Sequence, residues 1–363
     1  MDGSHAEFRS QFPVLASHSY LNAGTEGPMP QAAADAVSAQ LTDALHEGRV
    51  GRPYFEKLIA LAASARAAYA TALGAQPDEV ALTNSTTYGI NTVLSGLRLH
   101  EGEEILTSDQ EHPGVLVPLR RARVRFGVSV RMVPFDQLPA AVRPDTRLVV
   151  CSHVSWVGGE VMDIDALRAT GAEILLDGAQ GLGAVPIDVH AMGVDFYAGS
   201  GQKWMCGPEG SGALYVRPDR LDDLEPPFPG YSTVTHGVPA LDADLAETTA
   251  RLDDGFPTGV RSAWAVAAAG VLERAGWEWV HRRAADGADR LAQLLAQRGL
   301  EVAPRGRSTL VSWASADAEA EVARLADERI IVRSIPSAGL VRASVGAWTS
   351  GDEIERLAAL AGG

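Results

Sequence analysis

From about residue 75 to residue 217, short apolar runs alternate with stretches whose apolar positions recur every three to four residues. The runs predict strands at Val80–Thr83, Glu104–Ser108, Val128–Val133, Leu148–Ser152, Ile174–Asp177, Phe196–Ala198 and Ala213–Val216. The amphipathic segments between them, such as Thr87–Leu97 and Val115–Phe126, predict helices. Nearly all-apolar strands separated by helices are the pattern of a mostly parallel sheet covered on both faces. Upstream, Gln31–His46 and Tyr54–Leu73 predict two long helices, the second ending at Gly74. Three prolines within Glu225–Gly230 interrupt the pattern. Beyond them, helices at Ala263–Ala275 and Trp277–Arg298 precede short strands at Leu310–Trp313, Ile330–Arg333 and Leu340–Val345, and Gly351–Ala361 predicts a last helix. The expected fold is α/β. A large domain, 19–235, surrounds a seven-stranded sheet, and residues 1–18 and 236–363 form a smaller α+β domain.

Composition narrows the class. The chain has 363 residues, 46% hydrophobic and 21% charged, as in a globular protein with a large core. A formal charge of −15 argues against a nucleic-acid partner, because phosphates require a cationic surface. No apolar run reaches about eighteen residues, so no membrane span is expected. The first thirty residues lack a basic start followed by an apolar core, so no secretion signal is expected either. Two cysteines, Cys151 and Cys206, cannot build a disulfide framework or a four-cysteine zinc site. A cytoplasmic protein is expected.

One count points to chemistry. Of 31 basic residues only two are lysines, Lys57 and Lys203. Arginine stays protonated and cannot form an imine, whereas a deprotonated lysine can attack a carbonyl. Lys57 falls in an amphipathic helical run, where a solvated lysine is ordinary. Lys203 falls in the glycine-rich YAGSGQKWMCGPEGSGALYV, which has no helical period. The count leaves Lys203 open between a surface and a reactive amine.

Other candidates stand at predicted strand ends, where ligands of parallel α/β sheets collect. Ser85, Thr86 and Thr87, in TNSTTYGIN, could cradle a phosphate at a helix N-terminus or simply cap the helix. Asp177 ends the apolar strand EILLD, where a carboxylate needs a cationic or hydrogen-bonding partner. The glycines after it do not follow the dinucleotide order G-x-G-x-x-G. His112 could stack on a flat ring, shuttle a proton, or be a surface histidine. Arg342, in the strand LVRASV, calls for a carboxylate or an internal ion pair.

Together these segments resemble the pyridoxal-phosphate (PLP) enzymes of the class V aminotransferase and cysteine desulfurase superfamily. The similarity runs from YLNAGTEGPMP to VRAS and is most specific in LLDGAQ…GVDFYAGSGQKWMCGPEGSGALYV. EHPGV, SHVSW and GQKWMCGPEG are similar to the cystine and cysteine C–S lyase branch, with isopenicillin-N-epimerase-like proteins as near neighbours. The resemblance implies the fold type I, aspartate-aminotransferase-like PLP architecture and a homodimer with its active site near the subunit boundary. By the same resemblance, Lys203 bonds the cofactor aldehyde and moves protons, and Asp177 faces the pyridine nitrogen. His112 stacks on the ring and Gln180 reaches its phenolic oxygen. Ser85, Thr86, Thr87, Ser200 and Gln202 surround the phosphate. Asn22, Ala23 and Arg342 receive the substrate carboxylate, and Trp156, Tyr231 and Phe256 are candidate pocket linings. The implied reaction is β-elimination from cystine, cysteine or a cysteine S-conjugate. Transamination, epimerisation or another side-chain reaction is the alternative.

The departures from the family pattern also carry meaning. Gln202 stands where many relatives have histidine; it can hydrogen-bond a phosphate but cannot titrate. Phe256 stands where many relatives offer a threonine to the neighbouring subunit, so that contact is lost or supplied by Thr258. No cysteine follows Cys206, which disfavours the persulfide route of cysteine desulfurases.

Overall fold

The structure, a computed structural model, describes residues 3–235 and 240–362. The expected domain boundary after residue 235 falls on 236–239, outside the described residues. Twelve strands are present among them: β1 (Ser19–Tyr20), β2 (Val80–Thr83), β3 (Glu104–Ser108), β4 (Ser129–Val133), β5 (Thr146–Ser152), β6 (Glu173–Asp177), β7 (Phe196–Ser200), β8 (Gly212–Val216), β9 (Leu310–Ala314), β10 (Ile330–Ile331), β11 (Arg333–Ile335) and β12 (Leu340–Ser344).

The large sheet has seven strands in the order β2-β8-β7-β6-β5-β3-β4. It is parallel except for β8, which runs antiparallel to both β2 and β7. Strands β6, β7 and β8 are buried along their whole length, which is why the chain writes them as apolar runs rather than alternations. One sheet face packs under the helices Gly51–Leu73 and Gly259–Ala275, with Leu73, Leu176 and Tyr197 in its core. The other packs under Thr86–Gly96 and Pro113–Phe126, with Ile90, Leu119 and Phe196. Contact there is close: a Cβ on Gly89 would come within 2.9 Å of the Ala198 Cβ. The helix at Pro113 starts two residues before the expected position, because His112 caps it and proline suits the first helical turn.

The small sheet is three-stranded and antiparallel, in the order β11-β12-β9. The single strand expected at Ile330–Arg333 is in fact two. Ile330 and Ile331 pair with β1, and after Val332 the chain changes partner, so that Arg333–Ile335 pairs with β12. Just past β1, Asn22 changes partner too, bridging to Ser344 of β12. The N-terminal segment packs on the C-terminal one: Arg9 pairs with Glu353 at 2.7 Å, and the Phe12 and Trp348 rings lie 5.5 Å apart. Among the described residues no helix is long and apolar enough to cross a membrane.

Candidate active site

Parallel strands bring their carboxyl ends to one edge, and β3, β5, β6 and β7 end there at Ser108, Ser152, Asp177 and Ser200. The loops that follow enclose a cavity of about 270 Å³, closed on the other side by residues 24–26 and the small sheet. Lys203 and Asp177 both line it. Asp177 is 5% exposed, and its Oδ1 accepts a hydrogen bond from Ala179 N (2.8 Å). Burial pushes its carboxyl above the usual range, while that hydrogen bond and the Lys203 charge pull it down. Among the described residues Asp177 has no ion pair. Burial brings the Lys203 amine down to about 8, against the pull of Asp177. A fraction of this lysine is therefore an unprotonated nucleophile near neutrality, unlike Lys57, which pairs with Asp43 on the surface.

At one end of the cavity stands the N-terminus of the helix Thr86–Gly96. Thr86 is buried, and its Oγ1 lies 2.6 Å from Ser200 Oγ, joining the helix start to the end of β7. Ser85 is the cap: its Oγ accepts from Tyr88 N at 3.1 Å. Thr87 is exposed beside it, and all four hydroxyl residues line the cavity. Free backbone N–H groups with hydroxyls around them form an anion site.

His112 caps the next helix through Nδ1, which accepts from Gly114 N at 3.0 Å. Burial, then the charges of Lys203, Arg333 and Arg342, bring its imidazole down to about 4. At neutral pH the ring is uncharged, which suits stacking and disfavours proton donation. Its edge meets the Trp156 ring at 5.0 Å and 86°. Beneath His112, Glu111 is 4% exposed. Its Oε1 accepts from Ser108 Oγ (2.5 Å) and Ser152 N (3.0 Å), and its Oε2 from Ser152 Oγ (2.6 Å). Burial pushes Glu111 up to about 7 despite these bonds, and the nearby Asp177 charge adds to the rise.

The small sheet supplies two guanidinium groups. Arg342 is fully buried; Nη1 donates to Trp156 O at 2.6 Å, while Nε and Nη2 have no partner. Burial, with the charge of Arg333 adding, lowers it to about 9. Arg333 sits directly opposite Arg342 in the β11–β12 register, with Nη1 donating to Thr25 Oγ1 (3.2 Å). Like charges across a strand pair repel, and neither arginine has an ion pair among the described residues. This is a site prepared for anions.

Gly24 makes room for Arg342: a Cβ there would lie 2.8 Å from Arg342 Nη2 and from Ser344 Oγ. Gln180 is held on both sides, its Nε2 donating to Gly24 O (2.8 Å) and its Oε1 accepting from Trp204 Nε1 (3.0 Å). One Nε2 hydrogen remains for a ligand. Gln202 lines the cavity with an unpartnered Oε1. Asn22 and Ala23 do not line it. Asn22 Oδ1 takes its bond from Thr25 Oγ1, and Ala23 is packed in the core, so Gly24, Thr25 and Glu26 form that wall instead. Tyr231 and Phe256 are also elsewhere, their rings 6.1 Å apart on the exposed surface. Sequence reasoning missed Arg333, Glu26 and Glu111.

The family model described as Aminotransferase class-V matches residues 19–357. The chain belongs to that family. It is 32% identical over 243 residues to a probable cysteine desulfurase of Methanothermobacter thermautotrophicus, covering 63% of this chain and 60% of the relative. It is 34% identical over 228 residues to the isopenicillin N epimerase of Streptomyces clavuligerus, covering 57% and 55%. The chain thus spans under two thirds of the length of these two relatives. Among solved structures, the cystine C-S lyase C-DES in complex with cysteine persulfide superimposes with a TM-score of 0.91 at 30% identity, covering 96% of this chain and 98% of that one. A C-DES mutant with glycine covalently linked to its PLP cofactor gives 0.92 at 30% identity, covering 98% and 99%. Within this class V framework Cys206 is a packed thiol. It is buried, burial raises its pKa, and its Sγ lies 3.9 Å from Trp204 O, so it does not offer a ready thiolate.

Proposed function

We propose that the chain binds pyridoxal phosphate and cleaves a C–S bond by β-elimination, with L-cystine or a cysteine S-conjugate as substrate. The donor set fits the cofactor. A buried carboxylate with no ion pair among the described residues suits a protonated pyridine nitrogen, and a hydroxyl-ringed helix N-terminus suits a phosphate. Lys203, brought down to about 8, suits an aldehyde. The observation that carries the reading is this convergence of Lys203, Asp177, Thr86 and the two unpaired arginines on one cavity.

Bound PLP supplies an electron sink for the bonds at an amino acid's Cα. Lys203 would hold the cofactor aldehyde and would take the Cα proton on Nζ. Asp177 would keep a proton on the ring nitrogen. Thr86, Thr87, Ser85 and Ser200 would hold the phosphate, with Gln202 beside them. The uncharged His112 ring would stack on the cofactor, and Gln180 would offer its remaining N–H. Arg342 fixes the α-carboxylate through its unpartnered Nε and Nη2. Arg333 then receives a second anionic group on the substrate, which favours cystine among the candidates. The Cβ–S bond breaks with its electron pair on sulfur, and the three-carbon fragment hydrolyses to pyruvate and ammonia.

The C-DES resemblance supports elimination, and the isopenicillin N epimerase relative supports epimerisation as the alternative. Purified protein incubated with cystine should release pyruvate and reducible sulfur; a racemised or transaminated amino acid without pyruvate would overturn elimination. The protein should be yellow, bleach with borohydride, and lose both properties in Lys203→Ala. A colourless parent protein would remove the cofactor.

We also propose a homodimer. Phe55, Phe256 and Tyr231 form a ring-contacted group on the surface, with Ile59 also exposed. Sedimentation should give twice the chain mass, and Phe256→Asp should shift it toward the monomer.

A further inference from the structure

Besides Asp177, the cavity wall holds four charged side chains: Glu26, Lys203, Arg333 and Arg342. In the reading above, Asp177 and Lys203 serve the cofactor and Arg342 the α-carboxylate. Glu26 and Arg333 are left over, with opposite charges. They form no ion pair with each other, although Thr25, next to Glu26, accepts a bond from Arg333. The Glu26 carboxylate has no hydrogen bond or ion pair among the described residues; only its backbone is used, N donating to Asn22 O (3.2 Å) and O accepting from Tyr20 Oη (3.0 Å). Burial and the exposed Glu209 raise its pKa, while Lys203 lowers it.

Two unpaired charges of opposite sign in one wall fit a ligand carrying both an ammonium and a carboxylate. We propose that Glu26 and Arg333 together bind the zwitterionic end of a sulfur substituent, so that Glu26 selects L-cystine over neutral cysteine S-conjugates. This rests on the C–S lyase reading. The far half of cystine carries one α-ammonium, for Glu26, and one α-carboxylate, for Arg333. When the near Cβ–S bond breaks, its electron pair stays on the sulfur attached to that far half. The leaving group is then a cysteine persulfide that keeps both contacts. A neutral S-alkyl group would leave both charges without partners as the cavity fills, which is costly.

The test compares three substrates: L-cystine, S-(2-carboxyethyl)-L-cysteine, which keeps the far carboxylate but lacks the ammonium, and S-methyl-L-cysteine, which has neither. In Glu26→Gln, kcat/KM for cystine should fall at least about ten-fold through KM, with the other two nearly unchanged. Arg333→Met should lower the first two relative to the third. An equal fall on all three, or no fall, overturns the proposal; a kcat loss shared by all three would make Glu26 an acid for the leaving sulfur instead. Calorimetric binding of L-homocystine, whose sulfur sits one carbon beyond the scissile position, reads the same contact without turnover and should weaken in Glu26→Gln. If the parent releases no pyruvate from any substrate, the lyase reading fails, and the homocystine titration still decides the Glu26 contact. Unchanged homocystine binding in the variant overturns it.

Discussion

Glu111 should make this protein less stable as the solution becomes neutral, and a single substitution should abolish that dependence. Its carboxyl is pushed from 4.5 to about 7 by burial. Between those values the folded protein keeps a proton that the unfolded chain has already released. A raised folded-state value means that stability is greatest below the unfolded pKa and is lost as pH rises through the folded one. At 1.36 kcal/mol per unit, the shift removes about 3 kcal/mol at high pH, of which about 2–3 kcal/mol falls between pH 5 and pH 8. Glu111→Gln has nearly the same shape and can still accept from Ser152 N, but it has no proton to lose. Unfolding entropy of about 2.1 cal/mol/K per residue over the chain converts about 2–3 kcal/mol to about 3 °C. Scanning calorimetry at constant ionic strength should therefore show the Tm of Glu111→Gln gaining about 3 °C on the parent between pH 5 and pH 8. A difference that stays flat, or moves the other way, would refute the reasoning.

Arg342→Met should lower kcat/KM at least about 100-fold, since charge-assisted hydrogen bonds to a carboxylate contribute about 3 kcal/mol. The same variant should melt higher than the parent without substrate, because two buried guanidinium nitrogens no longer lack partners. Capture of PLP by cofactor-free protein should speed up as pH rises through about 8, where Lys203 loses its proton, and level off above; stopped-flow absorbance checks this. Gly89→Ala should cost about 1–3 kcal/mol in denaturant unfolding, because the new methyl meets Ala198 across the helix–sheet contact.

The large sheet was legible because its strands, apart from the edge strand β4, are buried on both faces and so appear as apolar runs, with helical periods between them. Lys203 stood out through the scarcity of lysine, and Asp177 through its place at the end of EILLD. Arg333 was invisible for a different reason. Its significance is a matter of register, and β11 is a three-residue strand hidden within what reads as one strand with Ile330. Glu26 lies in the turn AGTEG, and nothing local shows that it shares a wall with residues more than 150 positions away. The resemblance pointed to Asn22 and Ala23, which directly precede the wall residues Gly24, Thr25 and Glu26. Glu111 was passed over beside the more conspicuous His112, and nothing local separates it from Asp109 of the same loop, which is exposed.

The change of partner at Val332 has a mechanical consequence. One stretch of chain is stitched on its first side to β1, from which residues 22–26 continue, and on its second to β12, which carries Arg342. Glu26, Arg333 and Arg342 therefore belong to a single woven frame, and that frame is pinned to the opposite strand ends by Arg342 on Trp156 O, Gln180 on Gly24 O and Gly27 N on Gln202 O. The last of these pins sits one residue from the reactive amine. The spacing of the three charges and their reach to that amine are thus set together, so the gauge and the blade share one mount.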